Sequence, residues 1–247
     1  MKNQPDIRIY PDLSALEDAV AQHFLLATTQ AVQQRNQALI ALSGGSTPLG
    51  LFHLLGGDSY RTTLPWQQMH FFWVDERCVP PQNEQSNYGQ FKKNVLDPLN
   101  IANKQIHAID GTLSPEMAAN QYQELLHSWA EPGQDLPRFD WVLLGMGNDG
   151  HTASLFPGQS LPLMLHQAVI PVIADYEGRP SHRVTLTPII LNLARQVVFM
   201  VSGLAKAKIL QEVLQGDHDP LRIPAQRIQP VEGRLVWMID EAAASQL

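Results

Sequence analysis

The sequence predicts an α/β fold on a mainly parallel sheet, and three observations carry that expectation. Short apolar runs at Ala38–Leu42, residues 69–74 and Trp141–Leu144 have the length and continuity of strands buried on both faces. Stretches with helical spacing lie between them, so strand and helix alternate. Several runs end in turns rich in Gly, Ser or charge, where open α/β sheets present their ligands.

Local signals justify each element in turn. Asp12 is placed to cap a helix whose apolar face is Leu13, Leu16, Val20, Phe24, Ala27 and Ala31. The strand Ala38–Leu42 ends in Ser43-Gly44-Gly45-Ser46-Thr47-Pro48, and a helix then runs to the Gly56-Gly57 stop. The strand at 69–74 ends in Asp75-Glu76-Arg77, read as a loop, and Ser86-Asn87-Tyr88-Gly89 opens a helix carrying Phe91 and Val95. Ser114-Pro115 starts a helix with an N-cap and a Pro at the first helical position, reaching about Trp129. Trp141–Leu144 leads into a loop at residues 145–151, and residues 168–173 and 183–187 read as further strands. Residues 197–201 form another, ending in Ser202-Gly203-Leu204-Ala205-Lys206 and a helix to Leu214, and residues 235–239 form the last. Internal repeats and linkers are absent, so residues 1–247 are expected to form one domain.

The totals narrow the function classes. With 44% apolar and 17% charged residues the chain has a globular composition, and its net charge of -7 supplies no basic field for nucleic acid or an anionic membrane. An anionic ligand would therefore need a local cluster of Arg and Lys. The lone Cys78 excludes an internal disulfide and fits a reducing compartment. No apolar signal core follows Met1, and no run is long enough to span a bilayer, so a cytoplasmic location is expected.

Four polar segments at strand ends are expected to converge on one edge of the sheet: residues 43–47, 75–77, 147–151 and 202–206. The first is a Gly-Ser-Thr loop feeding a helix N-terminus, which suits a phosphate but also suits ordinary helix capping. Arg77 and Lys206, on the same edge, can clamp an anion or serve as solvated surface charges. A histidine can accept a proton in catalysis, which makes His151 a candidate base, and Asp149 beside it can orient the ring; a capping Asp next to an exposed His is the alternative. Gly145-Met146-Gly147-Asn148-Asp149-Gly150 matches the dinucleotide pattern, but Pro157-Gly158 interrupts the helix that such a site requires. A serine-hydrolase elbow fails at Pro48, and no compact metal-ligand motif such as His-Glu-x-x-His occurs. His23, His53, His70, His107 and the scattered Trp residues read as packing or surface positions.

Ser43-Gly44-Gly45-Ser46-Thr47-Pro48, Trp73-Val74-Asp75-Glu76-Arg77-Cys78-Val79-Pro80, Ser86-Asn87-Tyr88, residues 145–157 and Arg183-Val184-Thr185-Leu186-Thr187 occur in this order. Together they resemble the 6-phosphogluconolactonases of the glucosamine-6-phosphate isomerase/deaminase superfamily, from about Tyr10 to Asp240. The resemblance implies a Rossmann-like three-layer αβα fold with neither metal nor organic cofactor. It implies hydrolysis of 6-phospho-D-glucono-1,5-lactone, the second step of the oxidative pentose phosphate pathway. On that basis Ser43, Gly44, Gly45, Ser46, Thr47, Arg77 and Lys206 are expected to hold the phosphate, with His151 as general base and Asp149 orienting it. Asp75, Asn87, Asn148 and Arg183 are expected to complete the substrate site. The expected partner is a small sugar-phosphate lactone, on a monomer or weak homo-oligomer.

Two rival readings stay open. In a sugar-phosphate isomerase or deaminase Asp75 would be the base, moving a proton at carbon. A non-catalytic sensor would keep the pocket without turnover.

Overall fold

A computed structural model describes residues 6–159, 167–176 and 178–247. From the N-terminus, β1 (Asp6–Tyr10) leads to α1 (Leu13–Arg35), β2 (Ala38–Leu42), α2 (Leu49–Gly56) and α3 (Asp58–Arg61). Then come β3 (Met69–Trp73), β4 (Asp75–Arg77), α4 (Asn87–Phe91), β5 (Ile106–His107), α5 (Pro115–Ser128) and β6 (Trp141–Leu144). The remainder contributes β7 (Val169–Ile173), β8 (His182–Leu186), α6 (Pro188–Leu191), β9 (Gln196–Val201), α7 (Ala207–Gln215), β10 (Arg234–Asp240) and α8 (Glu241–Ala244).

Seven strands pair in parallel in the order β1-β10-β9-β6-β2-β3-β5, flanked by helices in a Rossmann-like α/β arrangement. The central strands β2 and β6 are buried at every residue, as their unbroken apolar sequences require. Beyond β2 the chain builds outward through β3 and β5. It then returns to lay β6 against the other side of β2 and builds away through β9 and β10. The loops after β2 and β6 therefore leave adjacent strands in opposite directions, and a crevice opens between them.

Several expectations are corrected here. Residues 75–77 are not a loop but a buried strand, because β3 continues past Val74 and leaves the main sheet. Residues 168–173 and 183–187 do not extend the parallel sheet; β7 and β8 pair antiparallel and join β4 in a separate sheet of order β4-β8-β7. Lys206 lies in a 3₁₀ turn, Leu204–Lys206, just before α7 rather than inside it. Leu13 is exposed at the first turn of α1, whereas Leu16, Val20, Phe24, Ala27 and Ala31 are buried as the spacing predicts.

The caps follow the sequence. The Asp12 carboxylate accepts the Ala15 N–H at 2.9 Å, and Ser114 and Ser86 cap α5 and α4 in the same way. Trp73, Trp141 and Trp237 are fully buried; Trp141 meets Phe24 edge-on at 5.0 Å, and Trp237 stacks on Phe199 at 4.0 Å. Among the described residues, no helix is long and apolar enough to cross a membrane.

Two imidazoles are part of this packing. His23 of α1 accepts the Trp141 indole N–H at 3.1 Å, and burial pushes it down to about 4. His107 stacks on Phe72 and lies 3.1 Å from His70; burial, and then the His70 charge, push it down to about 4. Both are neutral in the fold at a pH where free histidines, with pKa ~6.5, take up protons. Their contribution is thus present above pH ~6.5 and lost as pH falls through the folded values. The urea midpoint should fall between pH 7 and pH 4, and should fall less in His23→Gln, whose side-chain oxygen still accepts from Trp141. A midpoint that stays flat over that interval would refute this account.

Candidate active site

The crevice beside β2 and β6 is a cavity of about 270 Å³, enough for roughly nine waters at ~30 Å³ each and so for a small metabolite. Ser43, Gly44, Gly45, Ser46, Thr47, Asp75, Arg77, Asn87, Asn148, His151, Arg183 and Lys206 all line it, so segments far apart in sequence meet as expected. Asp149 does not line the cavity; it stands behind His151. Sequence reasoning missed Met146, Ala153, Tyr176 and Arg179, which also form the wall. Tyr176 and Arg179 sit in the turn joining β7 to β8, and no local pattern announces that this hairpin reaches the cavity.

The His151 loop is a tight turn held by its own backbone. The Gly147 N–H donates to the His151 carbonyl at 2.8 Å, and the Thr152 hydroxyl donates to the Gly145 carbonyl at 2.8 Å. Any Cβ at Gly147 would meet His151 Nδ1 at 2.0 Å, so only glycine lets the ring fold back. Asp149 Oδ1 lies 2.7 Å from His151 Nδ1 and 3.0 Å from its backbone N. A carboxylate only accepts, so Nδ1 carries the proton and Nε2 keeps its lone pair. Burial raises the Asp149 pKa, but the bonds and charge of His151 outweigh it and hold the carboxyl below its usual range. Phe156 and Tyr176 each lie 4.7 Å from the imidazole, centroid to centroid, and fix its plane.

The cations enter from three directions. Arg77 of β4 and Arg183 of β8 are register partners across an antiparallel pair, both nearly buried. Like charges placed opposite each other destabilise a sheet unless something between them is negative. Arg77 Nη1 donates to the Gln85 carbonyl at 2.6 Å, and Arg183 Nε to the Pro180 carbonyl at 3.1 Å. Among the described residues, Arg77 Nε and Arg183 Nη2 are buried without a hydrogen-bond partner, as is Ser43 Oγ. Burial lowers the Arg183 pKa; the Asp75 carboxylate opposes that and Arg77 adds to it. Lys206 arrives on the turn after β9, which Asp240 grips by accepting the Ser202 hydroxyl at 2.5 Å and the Gly203 N–H at 3.0 Å. The loop at 43–47 enters α2 through Pro48 with no side-chain cap, so capping does not account for its hydroxyl residues.

A buried polar network ties these parts together. The Ser154 hydroxyl donates to Asp75 Oδ2 at 2.7 Å, and its N–H donates to the Thr185 hydroxyl at 3.2 Å, linking the His151 loop to the second sheet. Glu76 accepts from the N–H groups of Arg77, Asn87 and Tyr88 and from the Ser86 hydroxyl, at 2.7 to 2.9 Å. Burial pushes its pKa up to about 7, against those four bonds.

A family model for glucosamine-6-phosphate isomerases/6-phosphogluconolactonase matches residues 11–237. The chain belongs to this family. Within the isomerase/lactonase family it is 34% identical to 6-phosphogluconolactonase of Haemophilus influenzae, over 96% of this chain and 98% of that protein. It is 38% identical to the Synechocystis 6-phosphogluconolactonase, covering 89% and 88% of the two chains. The solved structure of 6-phosphogluconolactonase from Trypanosoma brucei superimposes with a TM-score of 0.86 at 27% identity, over 99% of each chain.

The facing Arg77 and Arg183 make anion binding measurable through stability. Inorganic phosphate at ten times its dissociation constant should stabilise the fold by about 1.4 kcal/mol. That should appear as a higher melting temperature, and Arg183→Leu should remove most of the shift. A wild-type melting temperature indifferent to phosphate would place the anion elsewhere.

Proposed function

We propose that the chain hydrolyses 6-phospho-D-glucono-1,5-lactone to 6-phospho-D-gluconate, with His151 as general base. The observation that carries this reading is an imidazole oriented by a carboxylate at 2.7 Å in a cavity also lined by Arg77 and Arg183, whose guanidinium groups each keep a buried nitrogen without a hydrogen-bond partner among the described residues. The relatives named above support the same substrate. The half-buried Cys78 fits a reducing compartment and hence a cytoplasmic enzyme.

Arg77, Arg183, Lys206 and the 43–47 loop bind the 6-phosphate and hold the lactone carbonyl near His151. Nε2 of His151 takes a proton from water as the water oxygen bonds to C1 and the carbonyl electrons move to oxygen. The tetrahedral intermediate collapses, the bond from C1 to the ring oxygen breaks, and the proton on Nε2 passes to that oxygen. Asp149 keeps Nδ1–H in place and stabilises the imidazolium formed in between. The new carboxylic acid ionises, so each turnover releases one proton. A lactone is already activated, and general-base help of ~10²–10⁴-fold plus positioning is sufficient.

Proton release in weak buffer after adding fresh lactone, with spontaneous hydrolysis subtracted, tests the reaction. Glucosamine 6-phosphate with an ammonia readout runs in parallel. His151→Ala should lower kcat by ~10²–10⁴-fold while the phosphate-induced rise in melting temperature persists. Full activity in that variant would remove His151 as the base, and ammonia in place of lactone turnover would move the function to the deaminase branch.

Lys206→Ala should raise KM by about 10- to 100-fold with kcat little changed, since the phosphate is bound alike in ground and transition states. An unchanged KM would take Lys206 out of the phosphate site.

A further inference from the structure

We infer that Asn87 reads a ring hydroxyl of the sugar rather than its phosphate, and that Glu76 is the positioning residue that holds it there. The inference rests on the lactonase reading above.

The orientation of the Asn87 amide is fixed by its partners. Its Nδ2 donates to the Asp75 carbonyl at 2.8 Å and to Asp75 Oδ1 at 3.3 Å. Both partners only accept, so the flipped amide would set oxygen against oxygen. Oδ1 is therefore the other end, and it is buried without a partner among the described residues, on a residue that is 1% exposed and lines the cavity. An amide oxygen has no proton to offer and repels a phosphate dianion, whereas a hydroxyl donates to it. Among the described residues, Ser43 Oγ, Arg77 Nε and Arg183 Nη2 also lack a partner on residues that line the cavity; the two guanidinium nitrogens only donate, and the Ser43 hydroxyl can donate. The guanidinium groups thus suit the anion, whereas Asn87 Oδ1 suits a hydroxyl.

The loop at 43–47 confirms how closely the amide is seated. A Cβ on Gly44 would meet Asn87 Oδ1 at 2.0 Å, so the loop packs this closely on the amide only with glycine there. Glu76 does not line the cavity. Its two oxygens take the N–H groups of Asn87 and Tyr88, the Ser86 hydroxyl and the Arg77 N–H, which pins the backbone from which the amide projects. Of Arg77 the carboxylate holds only the backbone N–H; the guanidinium is held separately by the Gln85 carbonyl, at 2.6 Å.

The test compares kcat/KM for the lactone with the inhibition constant of inorganic phosphate in wild type, Asn87→Ala, Glu76→Gln and Arg183→Leu. Asn87→Ala should lose about 5- to 100-fold in kcat/KM while the phosphate inhibition constant stays within twofold; Arg183→Leu should worsen both. Glu76→Gln should change kcat/KM in the same direction by less, again sparing phosphate, and it decides the matter if Asn87→Ala does not fold. Lactones lacking one ring hydroxyl complete the cycle: one of them should be a poor substrate for wild type yet lose nothing further in Asn87→Ala. Phosphate inhibition weakened in parallel with kcat/KM, kcat/KM within twofold of wild type, or equal penalties for every deoxygenated lactone in both proteins would overturn the inference. Lactone turnover by wild type alongside any of these results leaves the lactonase reading standing, whereas no turnover by wild type overturns both.

Discussion

Parallel alignment is the constraint on which the rest of this structure depends. Every strand of the main sheet ends on the same edge, and the chain reverses its direction of growth between β2 and β6. Neighbouring loops must then diverge, and the gap they leave is the cavity. The Ser-Gly loop after β2, the His151 loop after β6 and the Lys206 turn after β9 reach it without any contact being needed to bring them together. The fourth wall comes from β3 running past the sheet as β4, which lends Asp75 and Arg77 to a second, antiparallel sheet.

The second sheet places charge where a sheet by itself would avoid it. Arg77 and Arg183 face each other, and among the described residues Ser43 Oγ, Arg77 Nε, Arg183 Nη2 and Asn87 Oδ1 are buried without hydrogen-bond partners. Each such group costs about 1–3 kcal/mol in the folded state. The surrounding network supports that arrangement: Glu76 with four donors, Asp75 between Ser154 and Asn87, and Asp240 beneath the Lys206 turn. At the opposite, N-terminal end of β2, Arg35 and Arg195 instead form ion pairs with Asp140, which also accepts the Leu39 N–H. Those ion pairs hold the fold together at the edge away from the cavity.

His151 is treated differently from the cations around it. Glycine at position 147 lets the ring fold onto Asp149, and two aromatic rings fix its plane, so one nitrogen is committed to the carboxylate and the other is left basic. The loop that carries it is anchored through Ser154 to Asp75, and Asp75 in turn holds Asn87. Displacement of any one of these groups would be transmitted to the others.

The sequence by itself determined the parallel sheet, the caps of α1, α4 and α5, the convergence of the strand-end segments and most of the residues that line the cavity. These are consequences of local periodicity and of the rule that parallel strands share an edge, and both can be read one segment at a time. It did not show that Asp75–Arg77 is a strand, because three polar residues carry no apolar pattern, and their burial comes from pairing with β8 more than a hundred positions away. It did not reveal Tyr176 and Arg179, whose place in the wall depends on the pairing of the β7–β8 hairpin with β4. Nor did it single out Glu76, which looks like one more surface acid until four donors from two segments close around it. Tertiary structure alone decided these points, because each rests on a partner brought near by long-range pairing, and neither spacing nor composition encodes that distance.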